Sequence, residues 1–185
     1  MANDNSIGTI PWLNVDNAKI SDNTYATSFD NNAGETTNYL VATNFGFSVP
    51  NNAMIAGVKF EIERKADFDT SGGSADKYTD TVYRIVKAGT ITGSSITDTT
   101  DWPTTEAYFS KGDEYSMWGG LTPDDINNSG FGIAFYSNCL AATENNMAYV
   151  DHIRATVYYD YYEAEYVAAS NGPIGSLPIG AYGIS

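Results

Sequence analysis

The sequence predicts an all-β protein: an antiparallel, jelly-roll-like β-sandwich with one short helical turn and an extended C-terminal arm. Three observations lead to this prediction. Among 185 residues, Ile (14) and Val (9) outnumber Leu (5), and there are 14 Tyr, a composition that suits pleated sheets. Apolar and polar residues alternate with a period of two in several segments. Clusters of Asn and Gly, which are typical of turns, separate these segments.

The clearest predicted strand is the segment 55–65. In it, Val58, Phe60 and Ile62 share one face, and charged residues occupy the other. One buried and one hydrated face is typical of an antiparallel sandwich, and the pattern is compatible with a jelly-roll or an immunoglobulin-like order of strands. Further strands are predicted at residues 25–28, 38–47, 81–87, 107–110, 114–119, 131–136 and 147–162, with a short hairpin-like excursion through Ile91.

One helical turn is predicted within residues 121–127. Thr122 is a suitable N-cap, and Pro123 suits the first helical position. Asp124 and Asp125 complement the positive end of the helix dipole. The same two carboxylates could be the paired acids of a glycosidase, but their position at a helix start explains them without catalysis.

The chain is strongly acidic, with 9 Lys and Arg against 23 Asp and Glu, a net charge of −14 and a pI near 4.1. We do not expect nucleic acid or an anionic membrane as a partner, because both are bound through Lys and Arg. The single cysteine, Cys139, excludes an intramolecular disulfide. The first residues lack the basic and apolar regions of a signal peptide, so we expect synthesis in the cytoplasm.

We predict that the protein is not an enzyme. The sequence has one histidine, His152, and no glycine-rich phosphate loop, nucleophile elbow or Cys/His metal cluster. His152 and Asp151 are neighbours on a predicted strand, so their side chains point to opposite faces and do not form an acid–base pair. Asp151 interrupts an apolar pattern, and we predict that it accepts hydrogen bonds from nearby backbone or hydroxyl groups.

Acidic loops offer candidate ligands for calcium, which binds carboxylate oxygens. The main candidates are Asp67, Asp69, Asp76 and Asp80. Smaller acidic groups occur at Asp22 and Asp30 and at Asp98 and Asp101. Because none of these groups has the spacing of an EF-hand, we expect a hydrated acidic surface without a cofactor, and calcium binding is the alternative.

The composition changes after Glu165, because residues 166–185 contain no charged side chain. We therefore divide the chain into a sandwich domain, 1–162, and a C-terminal arm, 163–185, which is uncharged from residue 166 onwards. The first 24 residues of the domain are polar and rich in Asn and Asp, and we expect an irregular lead-in over residues 1–24.

The arm is expected to dock on a neighbouring molecule. Its apolar side chains would form an adhesive strip if they were exposed, and Pro173 and Pro178 exclude a central strand. Addition to a sheet edge is one way to dock, and an arm that folds back over its own sandwich is the alternative. The predicted interface residues are Tyr158, Tyr162, Tyr166, Val167, Ile174, Leu177, Ile179, Tyr182 and Ile184.

Three stretches resemble a β-sandwich module of tailed-bacteriophage virion proteins. They are FGFSVPNNAMIAGVKFEIERKA (45–66), MWGGLTPDDINNSGFGIAFYS (117–137) and AYVDHIRATVYYDYY (148–162). The resemblance covers residues 38–162. It implies a structural protein in the virion that assembles as a homo-oligomer on the capsid, as decoration, or on the tail, beside proteins such as the major capsid protein. It implies no catalytic residues.

Two other functions stay open at this stage. Tyrosine rings near the end of the last strand could stack on sugars, so the first alternative is a carbohydrate- or receptor-binding module that takes a surface glycan. Tyrosine is also enriched at protein interfaces, which favours subunit contact. The second alternative is a subunit of an extracellular filament or surface layer.

Overall fold

Ten strands within the described residues form two antiparallel sheets, as the composition and alternation predicted. The computed structural model describes residues 1–31, 33–67, 77–141 and 146–161. The strands are β1 (Ala2–Asp4), β2 (Trp12–Leu13), β3 (Ala26–Asn31), β4 (Tyr39–Thr43), β5 (Ala53–Ala66), β6 (Lys77–Lys87), β7 (Thr90–Ile96), β8 (Ala107–Lys111), β9 (Gly132–Ala141) and β10 (Asn146–Tyr161). The same part of the chain contains a 3-10 helix, Val15–Ala18, and an α-helix, α1, Pro123–Asn127.

The strand order is that of a jelly roll. Sheet 1 has the order β1-β4-β9-β6-β7, and sheet 2 has the order β2-β3-β10-β5-β8. Strands β3 to β10 form four nested antiparallel pairs: β3 with β10, β4 with β9, β5 with β8 and β6 with β7. This is one long hairpin wound into two sheets, so the jelly-roll prediction is confirmed and the immunoglobulin-like order is excluded.

The inner faces of the two sheets form an apolar core. Val58, Phe60 and Ile62 of β5 are fully buried, as their alternation predicted. The ring centroid of Phe60 lies 5.6 Å from that of Trp118 and 6.2 Å from that of Phe131, which precedes β9 in the opposite sheet. These aromatic contacts join the two sheets at the centre of the sandwich.

The predicted helical turn is confirmed as α1. The Thr122 hydroxyl accepts a hydrogen bond from the Asp125 amide at 3.2 Å, and the Asp125 carboxylate accepts one from the Thr122 amide at 3.0 Å. This reciprocal capping box satisfies two backbone donors at the helix start. Ile126, which is 1% exposed, anchors the turn to the core.

The lead-in, 1–24, contains short regular elements instead of the expected irregular chain. β1 extends sheet 1 beside β4, and β2 extends sheet 2 beside β3. Trp12 of β2 is 3% exposed, stacks on Trp102 with ring centroids 6.4 Å apart, and donates its indole N–H to the Asn38 carbonyl at 3.0 Å. Trp12 thus ties the lead-in to the core.

The predicted strand 114–119 is wrong, because the segment forms turns. Trp118 has a φ of 48°, and Gly119 and Gly120 follow with φ values of 84° and 87°, so the backbone cannot stay extended. The Trp118 indole donates to the Val58 carbonyl at 2.8 Å. Gly112 makes room for this contact, since a Cβ there would lie 2.3 Å from that carbonyl oxygen.

Residues 162–185 lie outside the described residues, so the predicted arm has no structural account. β10 reaches Tyr161, beside Ala53 at the start of β5. In the described part of the chain, no helix combines the length and the apolar character needed to cross a membrane.

Candidate functional site

The outer face of sheet 2 is charged. The Glu61 carboxylate of β5 accepts hydrogen bonds from Arg154 of β10 at 3.0 and 3.2 Å, and Lys59 lies 3.5 Å from the same group. The hydrogen bonds from Arg154 lower the pKa of Glu61 from its ordinary value. This face pairs its charges across neighbouring strands and stays hydrated.

The outer face of sheet 1 is apolar. Leu40, Tyr83 and Phe135 belong to the core, so their neighbours on the same strands point outwards. The apolar outer face consists of Tyr39, Val41, Val82, Val86, Ile91, Ala134 and Tyr136. Arg84 of β6 lies on the same face, opposite Ala134, and its guanidinium donates to the Gly93 carbonyl at 3.1 Å, so the apolar residues surround a cation.

The apolar outer face is packed like a small core. The rings of Tyr39 and Tyr136 meet edge to face, with centroids 5.3 Å apart. Val86 and Ala134 are fully buried and Tyr39 is only 6% exposed, although all three point away from the sandwich interior. The partly buried members, Val41, Ile91 and Tyr136, leave a small apolar patch that is suited to contact with another surface.

A pocket of about 330 Å³ adjoins this face at Tyr136. Its other walls are residues 7–9 and 34–36 and Asn138. The Thr36 hydroxyl donates to the Asn138 side-chain oxygen at 2.8 Å and fixes one wall. The pocket lies between the apolar outer face and the start of β4, and its lining includes the acidic residue Glu35.

A buried ion pair joins the two sheets. Arg64 of β5 and Asp80 of β6 are both 0% exposed, and they are in direct contact. The Tyr83 hydroxyl accepts from Arg64 at 3.0 Å and donates to Asp80, whose other oxygen accepts from the Trp102 indole at 2.8 Å. The guanidinium carbon lies 4.2 Å from the ring centroid of Phe109. The network encloses the charge pair in aromatic rings.

Burial shifts the pKa values of this network, but the ion pair stays charged at neutral pH. Desolvation lowers the pKa of Arg64 to about 10, so the guanidinium is still protonated at neutral pH. Desolvation also raises the pKa of Tyr83, which keeps its hydroxyl as a hydrogen-bond donor. Since none of these groups reaches the surface, the network has a structural role: it holds the two sheets together through buried polar contacts.

A second charge pair borders the first. The Lys111 ammonium of β8 contacts the Asp98 carboxylate, and both side chains are mostly buried. Burial acts to raise the pKa of Asp98, but hydrogen bonds from Lys111 and Thr100 outweigh it and lower the pKa to about 2. Lys111 also lies 5.2 Å from the ring centroid of Tyr83, which connects the two pairs.

We expect Asp98 to make the protein sensitive to acid. Its pKa is lower in the folded state than its ordinary value of 3.8, so its stabilising effect is full above that value and is lost as the pH falls towards 2. Melting temperatures measured from pH ~7 to ~2 should fall less steeply in Asp98→Asn than in the wild type. Parallel curves for the two proteins would contradict this assignment.

Three carboxylates converge elsewhere, on sheet 2. Oxygens of Glu63, Glu106 and Asp151 all lie within 4.8 Å of one another. Asp151 occupies a bulge of β10, is 1% exposed, and accepts from the Asn23 amide at 3.1 Å. Lys65 lies 4.0 Å from Glu106. Carboxylate oxygens are the ligands that a hard cation such as calcium accepts, and these three described side chains lie close enough together to share one ion.

The sequence prediction pointed to other carboxylates for calcium. Asp80 lies in the core, where both of its oxygens already have partners, so it is neither the hydrated surface residue that we expected nor the loop ligand of the calcium alternative. Asp67 accepts a hydrogen bond from the Tyr149 hydroxyl at 3.1 Å. Asp69 and Asp76 lie outside the described residues. Glu63, Glu106 and Asp151 come from distant segments, and only the strand register brings them together.

The predictions for the His152 region hold in part. Asp151 accepts backbone hydrogen bonds from Asp22, at 3.4 Å, and from Asn23, which confirms its predicted role as an acceptor. His152 contacts the Tyr108 hydroxyl at 2.9 Å through Nδ1, on the outer face of sheet 2. The predicted opposite orientation of Asp151 and His152 is wrong, because the bulge between Val150 and His152 interrupts the alternation, and the Asp151 carboxylate lies within 4.8 Å of that of Glu63, the register partner of His152.

Of the predicted interface residues, Tyr158 lies within the described chain. It is half-buried beside Gly57 on sheet 2, and its neighbour Val157 packs against the core, so the ring of Tyr158 points outwards. The other predicted residues lie outside the described residues: Tyr162, Tyr166, Val167, Ile174, Leu177, Ile179, Tyr182 and Ile184. The apolar outer face of sheet 1 was missed, although the alternation of Val82, Arg84 and Val86 was its signal.

The chain matches no protein-family model, and no curated protein or solved structure matches it at a significant level. The resemblance to tailed-phage virion proteins therefore rests on the three sequence stretches and stays a prediction.

Proposed function

We propose that this protein is a non-enzymatic structural protein of a tailed-phage virion. It assembles as a homo-oligomer on the capsid or tail, and it joins or reinforces other virion proteins there. The jelly-roll fold is compatible with this role, because capsid domains use it, but lectins and other proteins use it as well. The fold alone therefore does not decide the function.

The observation that supports the proposal most is the apolar outer face of sheet 1. An acidic protein that needed only solubility would place charges on both outer faces, as it does on sheet 2. Sheet 1 instead presents the partly buried side chains of Val41, Ile91 and Tyr136 around Arg84, without a carboxylate among them. Surfaces of this kind are typical of protein–protein contact.

Removal of the arm tests the assembly. We expect the full chain to form a defined oligomer, and a chain truncated after Tyr162 to stay folded and lose that oligomer. Light scattering measures the mass, and thermal melting reports the fold. A truncated chain that assembles like the full chain, or that does not fold, would contradict the role of the arm.

The virion setting has its own test. We expect mass spectrometry of purified phage particles, from a phage that carries this gene, to detect the chain at a stoichiometric level. Absence of the chain from washed particles would contradict the proposal.

A carbohydrate-binding module is the second candidate. Tyr115 is 78% exposed in a turn, so its ring is accessible to a sugar, whereas the 37% exposed ring of Tyr108 already has the Arg154 guanidinium 4.2 Å from its centroid. A glycan array with the full chain separates the two functions. Specific binding that Tyr115→Ala or Tyr108→Ala abolishes would favour this candidate over the structural role.

A further inference from the structure

The pocket beside Tyr136, with a volume of about 330 Å³, is a binding site in its own right. We propose that it binds one uncharged pyranose ring, such as that of a neutral hexose. This inference goes beyond the structural role proposed above and does not depend on it. It also differs from the carbohydrate-binding alternative in the place of contact, since Tyr115 does not line this pocket.

The floor of the pocket comes from β9. Tyr136 and Asn138 are two positions apart on this strand, so both side chains leave the same face of sheet 1. The ring of Tyr136 meets that of Tyr39 edge to face, with centroids 5.3 Å apart, and the Asn138 side-chain oxygen accepts from the Thr36 hydroxyl at 2.8 Å. That hydrogen bond uses the amide oxygen, and the NH₂ group of the same side chain supplies two donors. An aromatic ring and an amide therefore lie next to each other in fixed positions.

Two backbone segments, 7–9 and 34–36, form the walls. The Thr9 amide donates to the Thr36 carbonyl at 3.0 Å and joins the two segments. Gly8 permits this close contact, because its φ is 66° and a Cβ there would lie 2.6 Å from the same carbonyl oxygen. Backbone hydrogen bonds therefore keep the pocket in one shape, as expected of a preformed small-molecule site.

The charges around the pocket favour an uncharged ligand. Among the described residues, the lining has one carboxylate, Glu35, and no lysine, arginine or histidine. A phosphate, sulfate or carboxylate ligand would meet Glu35 without a compensating cation, and the net charge of −14 repels it at longer range. A single carboxylate is also too few ligands for a bare metal ion.

The mixture of an aromatic ring and polar groups favours a sugar among uncharged ligands. A pyranose has C–H groups on one face and hydroxyls around its edge, so its face can pack on Tyr136 while Asn138 and the threonine hydroxyls bind its edge. A purely apolar ligand would leave these polar groups without partners, which is unfavourable. The volume is at the low end of the roughly 300–1,000 Å³ of small-molecule sites, which suits one ring and not a long oligosaccharide.

Saturation-transfer difference NMR with the full chain tests the binding, and it works for a monomer or an oligomer. The probes are the methyl glycosides of glucose, galactose and mannose. We expect saturable binding of at least one of them with a dissociation constant of about 1 mM, because so small a ligand has few atoms with which to gain affinity. No saturable binding of any of the three would overturn the inference.

Two further probes test the chemistry of the pocket. Sodium glucuronate has a pyranose ring with a carboxylate, and we expect it to bind at least about tenfold more weakly than the best methyl glycoside. Sorbitol has the hydroxyls of a hexose without the ring, and we expect no saturable binding. Equal binding of glucuronate would contradict the selection against charge, and equal binding of sorbitol would contradict the contact between ring faces.

Substitutions locate the sugar. We expect Tyr136→Ala to weaken binding at least about tenfold, because it removes the ring on which the sugar packs. Thr9→Phe should do the same by narrowing the pocket from an exposed wall residue, without a change in either sheet. The matched control is Phe29→Ala, which removes a 45% exposed aromatic ring on sheet 2 and should change binding less than about twofold.

Thermal melting shows which variants are folded. If Tyr136→Ala does not fold, Thr9→Phe alone decides the location. Binding that survives Thr9→Phe unchanged in a folded chain would place the sugar elsewhere and overturn the inference. Binding that Phe29→Ala reduces as much as the pocket variants do would overturn it as well.

Discussion

Replacing Asp80 by Ala should lower the free energy of unfolding by about 3–5 kcal/mol, as expected when one partner of a buried ion pair is removed. Arg64 would keep its charge, because a guanidinium group is not deprotonated in proteins, but it would lose the carboxylate that compensates it inside the core. The Trp102 indole would also lose its acceptor, which lies 2.8 Å away. Urea-induced unfolding, followed by tryptophan fluorescence, measures the loss.

A double substitution separates the charge effect from simple loss of packing. We expect Arg64→Met/Asp80→Leu to recover most of the loss, because replacing both charges by apolar side chains is often close to neutral. Arg64→Met alone should be as harmful as Asp80→Ala, because it leaves the carboxylate buried without its cation. If Asp80→Ala costs less than about 1 kcal/mol, the ion pair does not have the enclosed position described above.

Phe60→Ala should cost about 3–5 kcal/mol, the usual range for truncating a buried aromatic side chain. Phe60 is fully buried and its ring meets Trp118, Phe131 and Phe45, with centroids 5.6 to 6.2 Å apart. Its removal leaves a cavity between the two sheets that these rigid rings cannot fill. The same urea unfolding experiment measures the change.

Lys59→Ala is the matched control for Phe60→Ala. Lys59 precedes Phe60 on β5 and points to the hydrated face, where it lies 3.5 Å from Glu61. Loss of a partly exposed ion pair costs at most about 1 kcal/mol. Similar losses of unfolding free energy for Phe60→Ala and Lys59→Ala would mean that β5 does not have one buried face and one hydrated face.

Local patterns were sufficient to predict the elements whose cause is local. The alternation of Val58, Phe60 and Ile62 depends only on the pleat, and the Thr122–Asp125 capping box depends only on four adjacent residues. The prediction of a strand at 114–119 was wrong because β propensity does not account for the positive φ of Trp118. Propensity cannot report a turn that is fixed by a distant contact, here with the Val58 carbonyl.

The sites needed the fold as well as the sequence. Arg64 continues the inward positions of Phe60 and Ile62, so its burial had a visible signal, but its pairing with Asp80 depends on how two sheets face each other. The Glu63, Glu106 and Asp151 cluster had no local signal. The apolar outer face was visible only as alternation on single strands, because which side faces outwards depends on the topology.

The nested order of the strands also determines when this protein can finish folding. β10 is the last of the ten described strands to be synthesised, yet it lies between β3 and β5 at the centre of sheet 2. The backbone amide of Asn23 gains its acceptor, Asp151, only after 128 further residues have been synthesised. Until β10 arrives, the nascent chain carries two open strand edges, which are prone to pair with other chains. We expect refolding in the millisecond-to-second range that is typical of non-local β topologies.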